Sequence, residues 1–203
     1  MGMVKVRATP KGAWWRRAGN RASGGALLLA VMLALCPAAA MAKGVYLSRE
    51  EFLAQAFGGT APTPQILWLS APLKDAAAGI LGHPFAQLRV RYWRHGDRTA
   101  WVLDEIGKTH PITIGVVVER GAIAAIRVLE FRESRGEEVR LPFFTDQFVG
   151  AGLHAGDERA LDRGIDGITG ATLSVRAMQR VARLALFFHT RALRPISAPG
   201  DVE

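Results

Sequence analysis

Residues 88–131 read as two successive β-hairpins, and this constrains the fold more than any other feature of the chain. Leu88-Arg89-Val90-Arg91-Tyr92-Trp93-Arg94 alternates apolar and basic residues, so Leu88, Val90 and Tyr92 share one face of a strand. His95-Gly96-Asp97-Arg98 supplies a turn, and residues 99–106 return. Residues 112–119 form another strand. Arg120-Gly121 turns it, and residues 122–131 come back. Short turns of this kind join antiparallel neighbours, so the expected core is an antiparallel sheet of at least four strands.

The flanking segments predict helices. Ser48-Arg49-Glu50-Glu51 is a capping box ahead of Phe52, Leu53 and Phe57, which gives a short helix over 49–57 ended by Gly58-Gly59. Residues 60–64 are a Pro-rich loop, and residues 65–69 are a short apolar strand candidate. Pro72 and Gly82 bracket a second helix over 71–81. Residues 142–148 read as an apolar short helix or loop, closed by Gly150 and Gly152. From Leu173 to about Leu193 the period is helical. Val175, Met178, Ala182, Ala185 and Leu186 lie on one face, and Arg176, Arg180 and Arg183 on the other. Arg191 and Arg194 suit the negative end of that helix, and Pro195 stops it before a loose tail over 196–203. The fold class is therefore α+β: a mostly antiparallel sheet of hairpins, short N-terminal helices, and a long C-terminal helix packed on the sheet.

Charge bears on partners. The chain has 26 basic and 18 acidic residues, but six of the basic ones and no acid fall in the first 42 residues. The remaining 20 basic residues nearly balance the acids, which argues against nucleic acid as a partner. Those first 42 residues resemble an export signal. Basic residues precede the apolar run Ala26 to Leu35, Pro37 breaks it, and Ala40-Met41-Ala42 offers small residues for cleavage. The run has 10 residues, fewer than the ~20 a spanning helix needs. An uncleaved anchor over residues 24–41 is the alternative. Cys36, the only cysteine, lies within this segment, so the exported chain would have neither a disulfide nor thiol redox chemistry.

Common catalytic patterns do not stand out. His83, His95, His110, His154 and His189 are scattered without metal-ligand spacing, and read as ordinary surface or turn histidines. No nucleophile elbow or phosphate-binding P-loop is present. Tyr92, Trp93, Trp101 and Phe131 fall on the hairpins, where sheet packing or a wall against a flat ring system would both suit them. Glu133 and Arg135 read either as ligand holders or as a solvated loop with a local ion pair.

One stretch has a distinct chemistry. In Asp166-Gly167-Ile168-Thr169-Gly170-Ala171-Thr172, two glycines remove side chains and hydroxyls gather where the long helix begins. Free N–H groups and the helix dipole favour an anion there, although a turn with a helix cap would look the same. The heptapeptide resembles the covalent flavinylation motif of the FMN-binding domain family: Asp, two variable residues, Ser or Thr, Gly, Ala, Thr. Residues 107–131 resemble the family's strand-turn-strand segment. Residues 133–136 and 144–150 resemble the segment that follows. Ser134-Arg135-Gly136 stands where the subunits of ion-pumping complexes commonly have Thr-Pro-Gly.

The resemblance implies a domain layout and a function. Residues 1–42 would be the signal, 43–106 the N-terminal helices and first hairpin, and 107–195 the FMN-binding core. Thr172 would carry FMN as a phosphoester, installed by a flavin transferase from FAD. Asp166, Thr169, Gly170 and Ala171 would complete the motif, with Glu133 and Arg135 as further cofactor-binding candidates. The family's role implies an electron carrier, rather than a stand-alone enzyme, in the periplasm or on the extracytoplasmic face of the inner membrane. It would pass electrons between a membrane or periplasmic donor and acceptor. A binding module without covalent cofactor, and an FMN-dependent reductase, are the competing expectations.

Overall fold

The computed structural model describes residues 44–193. The expected signal, Arg194, Pro195 and the tail lie outside the described residues. Five strands form one antiparallel sheet in sequence order: β1 (Gln65–Trp68), β2 (Arg89–His95), β3 (Arg98–Ile106), β4 (Pro111–Glu119) and β5 (Ala122–Phe131). The two expected hairpins are β2–β3 and β4–β5, and the strand candidate at 65–69 becomes the edge strand β1. The sheet runs through the β3–β4 turn without interruption, so residues on both sides of position 107 share one core. At the β5 edge, Val45 bridges Glu130 and the Tyr46 N–H donates to the Leu129 carbonyl at 2.8 Å.

Helices cover both faces. The short α1 (Arg49–Phe57) has the predicted capping box: the Glu51 N–H donates to Ser48 Oγ at 3.1 Å, and the Glu51 carboxylate accepts from the Ser48 N–H at 2.9 Å. Phe52, Leu53 and Ala56 of α1 pack on Trp93, Ala100, Val117 and Leu129. The opposite face is covered by α2 (Ala71–Leu81) and by the long α4 (Thr172–Leu193), which bury Trp101, Ile114, Val116, Met178, Val181 and Phe188 in the main core. Tyr92 and Trp93 therefore point to opposite faces, as adjacent strand residues must, and both are covered. Tyr92 stacks on Trp101 at 4.8 Å between ring centroids, so these aromatic rings serve packing.

Between β5 and α4 the chain makes a 3-10 turn (Glu137–Arg140), the short α3 (Pro142–Thr145) and a second 3-10 turn (Asp146–Phe148). A small hairpin follows, β6 (Leu153–His154) with β7 (Asp157–Leu161), where the sequence reads only as a Gly-rich connection. Its register is irregular and its strands are short, so no alternating pattern announces it.

One histidine departs from the surface expectation, and a second, exposed as expected, holds a buried carboxylate. His189 is buried, with 2% of its surface exposed. Its Nε2 accepts from the Gly121 N–H at 3.2 Å, which places the proton on Nδ1, 2.8 Å from Thr99 Oγ1. The exposed His83 pairs with the buried Glu105 at 3.1 Å, and Arg180 of α4 reaches the same carboxylate at 3.1 Å. A helical pattern shows that α4 has an inward face but not what lies beneath it, so these partners, 22 to 90 residues away, are invisible locally.

One glycine sets the distance between α1 and the sheet. A Cβ at Gly115 would sit 2.6 Å from Phe52 Cζ and 2.8 Å from Leu129 Cδ1. Gly115→Ala is therefore expected to destabilise the fold by about 1–3 kcal/mol through overpacking. In denaturant unfolding, combining it with Phe52→Leu should cost less than the sum of the two single changes, because the smaller side chain vacates the contested space.

Candidate functional site

A cavity of about 640 Å³ opens where α4 begins. Its walls are the β3–β4 turn (Lys108), the loop after β5 (Glu133, Ser134, Arg135) and the helix start (Gly170, Ala171, Thr172, Leu173, Ser174). Three segments far apart in sequence thus meet at one helix N-terminus.

The motif loop is held from behind. Ile165 and Ile168 pack on the main core, while Asp166, Thr169 and Gly170 are exposed. The Asp166 N–H donates to Gln147 Oε1 at 2.7 Å, and Arg163 donates to the Gly150 carbonyl at 2.9 Å. The Ala171 N–H closes a turn on the Ile168 carbonyl at 3.0 Å, with Gly170 at φ 82, a left-handed conformation that favours glycine. The Val175 N–H then makes the first helical bond, to the Ala171 carbonyl at 2.9 Å. Thr172 is the first helical residue and is exposed, so its hydroxyl is accessible. N–H groups in a first helical turn have no intrahelical acceptor and aim outward, along the positive end of the dipole.

Small residues let the opposite wall come close. Ala171 is buried. A Cβ on Gly136, whose φ is 89, would lie 2.8 Å from Ser174 Oγ and 3.3 Å from Ala171 Cβ. Gly136→Ala is expected to combine backbone strain with this clash and to cost about 1–3 kcal/mol, read as a lowered melting temperature. The loop carrying Ser134 and Arg135 would be pushed off the helix start, so ligand loading should fall as well.

Glu133 lines the cavity and also has a structural job that its local sequence does not suggest. Its side chain is buried, with 5% exposed. It does not pair with Arg135. It accepts from the backbone N–H groups of Lys108, of Thr109 at 2.6 Å and of His110 at 2.9 Å, and from the Thr109 hydroxyl at 3.1 Å. Burial pushes its carboxyl up, but these donors outweigh burial and hold it at about 2, against an ordinary 4.5. Gly107 makes room, since a Cβ there would lie 3.0 Å from Glu133 Oε1. Glu133 thus fixes the turn that presents Lys108 to the cavity.

Lys108 and Arg135 are exposed and, among the described residues, form no ion pair. They bring two cations to a helix N-terminus. Of the residues expected from sequence, Thr172, Gly170, Ala171, Glu133 and Arg135 line the cavity, whereas Asp166 and Thr169 shape the loop beside it. Lys108 was not expected. Gly107 and the Lys-Thr-His that follows were its only local signal, and they read as a plain turn.

A phosphate monoester or diester fits this donor set, which combines cations, hydroxyls and a helix start. The cavity also has room for a ring system beyond the phosphate. Residues 107–186 match the family model of the FMN-binding domain. No curated protein matches the chain.

Proposed function

We propose that this chain, a flavin-binding protein with an FMN-binding domain at residues 107–186, carries its FMN covalently on Thr172 and relays electrons outside the cytoplasm. The observation that carries the reading is the exposed Thr172 hydroxyl at the start of α4, opening on a cavity lined by Lys108 and Arg135. Attachment would need a flavin transferase and FAD. The Thr172 oxygen forms a bond to the phosphorus on the FMN side of FAD, the pyrophosphate bond to AMP breaks, and the hydroxyl proton is lost to a base of the transferase.

The chain's own residues would then hold the product. Lys108, Arg135 and the first-turn N–H groups of α4 neutralise the phosphodiester, while Gly170 and Ala171 leave the approach to Thr172 unobstructed. Glu133 keeps Lys108 in position through the β3–β4 turn. Bound FMN supplies the one- and two-electron chemistry, and the protein supplies placement and electrostatics. A membrane-bound electron donor and a membrane or periplasmic acceptor complete the relay. The amino-terminal export pattern supports placing it in the periplasm or on the outer face of the inner membrane.

The test is the intact mass of the chain produced together with a flavin transferase. A mass increment equal to esterified FMN, with flavin fluorescence that stays on the chain after denaturation, is the expected result. Flavin that washes away on denaturation would leave a binding protein without the covalent link.

A further inference from the structure

We propose that the sheet face around β1 and β2, on the side away from α4, docks on an anionic phospholipid membrane. The register puts Ile66 opposite Arg91 and Trp68 opposite Arg89, so these four side chains share one face. Trp93 lies on the same face and packs under α1, but α1 is nine residues long and leaves the β1 end of the sheet open. There a cleft of about 440 Å³ takes Arg89, Arg91 and, from α1, Arg49 into its lining. Among the described residues, no acidic one lines it. Beside it stand large apolar side chains in water: Trp68 is 64% exposed and Ile66 46%. Arg89 lies 5.7 Å from the centre of the Trp68 ring.

Exposed apolar surface rimmed by cations marks an interaction site, and the three arginines call for an anionic partner. Three observations favour a membrane over an acidic protein. First, a tryptophan among arginines with a neighbouring isoleucine is the composition that sits at a headgroup boundary. Second, the described chain enters at Gly44, five residues before Arg49, and the residues ahead of it contain seven basic residues, no acid and an apolar run. With no acid among them, those residues offer the cleft arginines no counter-charge. Third, α4, which begins at Thr172, lies on the other face of the sheet. A redox partner seated in the cleft would have the sheet between itself and the cavity, whereas a membrane docked there leaves the cavity side free. The surface is one that the cavity does not share, and only the third observation rests on the flavin reading.

The full chain, with or without flavin, should partition more strongly to vesicles of phosphatidylglycerol mixed with phosphatidylcholine than to phosphatidylcholine alone, and less so as salt rises. Each arginine near an anionic surface contributes about fivefold, so the Arg89→Gln/Arg91→Gln variant should bind roughly 20- to 30-fold more weakly. Both residues are exposed, so the variant should fold, as circular dichroism will verify. Brominated phosphatidylglycerol should quench a share of tryptophan emission that is lost in Trp68→Phe, a readout specific to this face. Equal partitioning of wild type and arginine variant, or no quenched share from Trp68, overturns the proposal. Binding to polyglutamate through these arginines without binding to vesicles overturns it in favour of an acidic protein partner.

Discussion

Thr172→Ala is expected to abolish flavin that survives denaturation, while leaving the fold nearly unchanged. The hydroxyl is the acceptor atom in the proposed transfer, and alanine offers no oxygen for a phosphoester. Thr172 is exposed at the first position of a 22-residue helix whose buried face is fixed by Val175, Met178, Val181, Ala185 and Phe188. The stability cost should therefore stay within about 1 kcal/mol, comparable to the loss of a terminal helix contact. Thr172→Ser keeps a hydroxyl at the same place, primary instead of secondary, and should retain a fraction of the covalent product. In-gel fluorescence and intact mass, measured on chains produced with a transferase, separate these outcomes. Covalent flavin persisting in Thr172→Ala would move the attachment elsewhere. If wild type and variant bind flavin equally and reversibly, the binding-module expectation from the sequence gains over the relay.

The parts of this molecule legible in sequence are those whose signal is local. Alternation with turn residues gave β2 to β5, and the Ser48–Glu51 box gave the start of α1, because each depends on residues at most a few positions apart. The Gly170-Ala171-Thr172 segment was legible for the same reason: a contiguous motif at a helix start. What eluded reading depends on residues brought together by the sheet. Glu133 looked like a loop residue because its donors lie 23 to 25 residues upstream, in a turn whose own sequence is unremarkable. Lys108 enters the cavity only because that turn is pinned. His189 reads as an ordinary surface histidine because its partners, a strand threonine and a turn N–H, lie far away in sequence. The exposed face of β1 and β2 also reads as ordinary alternation until the short span of α1 shows that nothing described covers it.

Removing the charge of Glu133 should have the largest effect on stability of any change near the cavity, and its pH dependence identifies the cause. In Glu133→Gln, one amide oxygen replaces a carboxylate that now accepts from three backbone N–H groups and a hydroxyl, so some of these donors lose their partner. The carboxyl titrates at about 2 in the folded chain against an ordinary 4.5. A carboxyl held low in the folded state stabilises it fully above the unfolded value, and that contribution fades as pH falls from about 4.5 towards 2. At neutral pH the variant should therefore be less stable than wild type by about 2–3 kcal/mol. The gap should close through that acid window, where the wild-type carboxyl is protonated too. His189 acts in a different range. Burial, helped by Arg94, holds its pKa below the ordinary 6.5, so its neutral form is lost to the unfolded chain as pH drops below that value. This loss is common to wild type and Glu133→Gln and cancels in their difference. Chemical denaturation of both proteins at neutral pH and across the acid window measures the difference directly. A gap that is constant with pH would mean that Glu133 stabilises the turn by shape rather than charge. Because that turn carries Lys108, the variant should also load flavin less well, without the complete loss expected of Thr172→Ala.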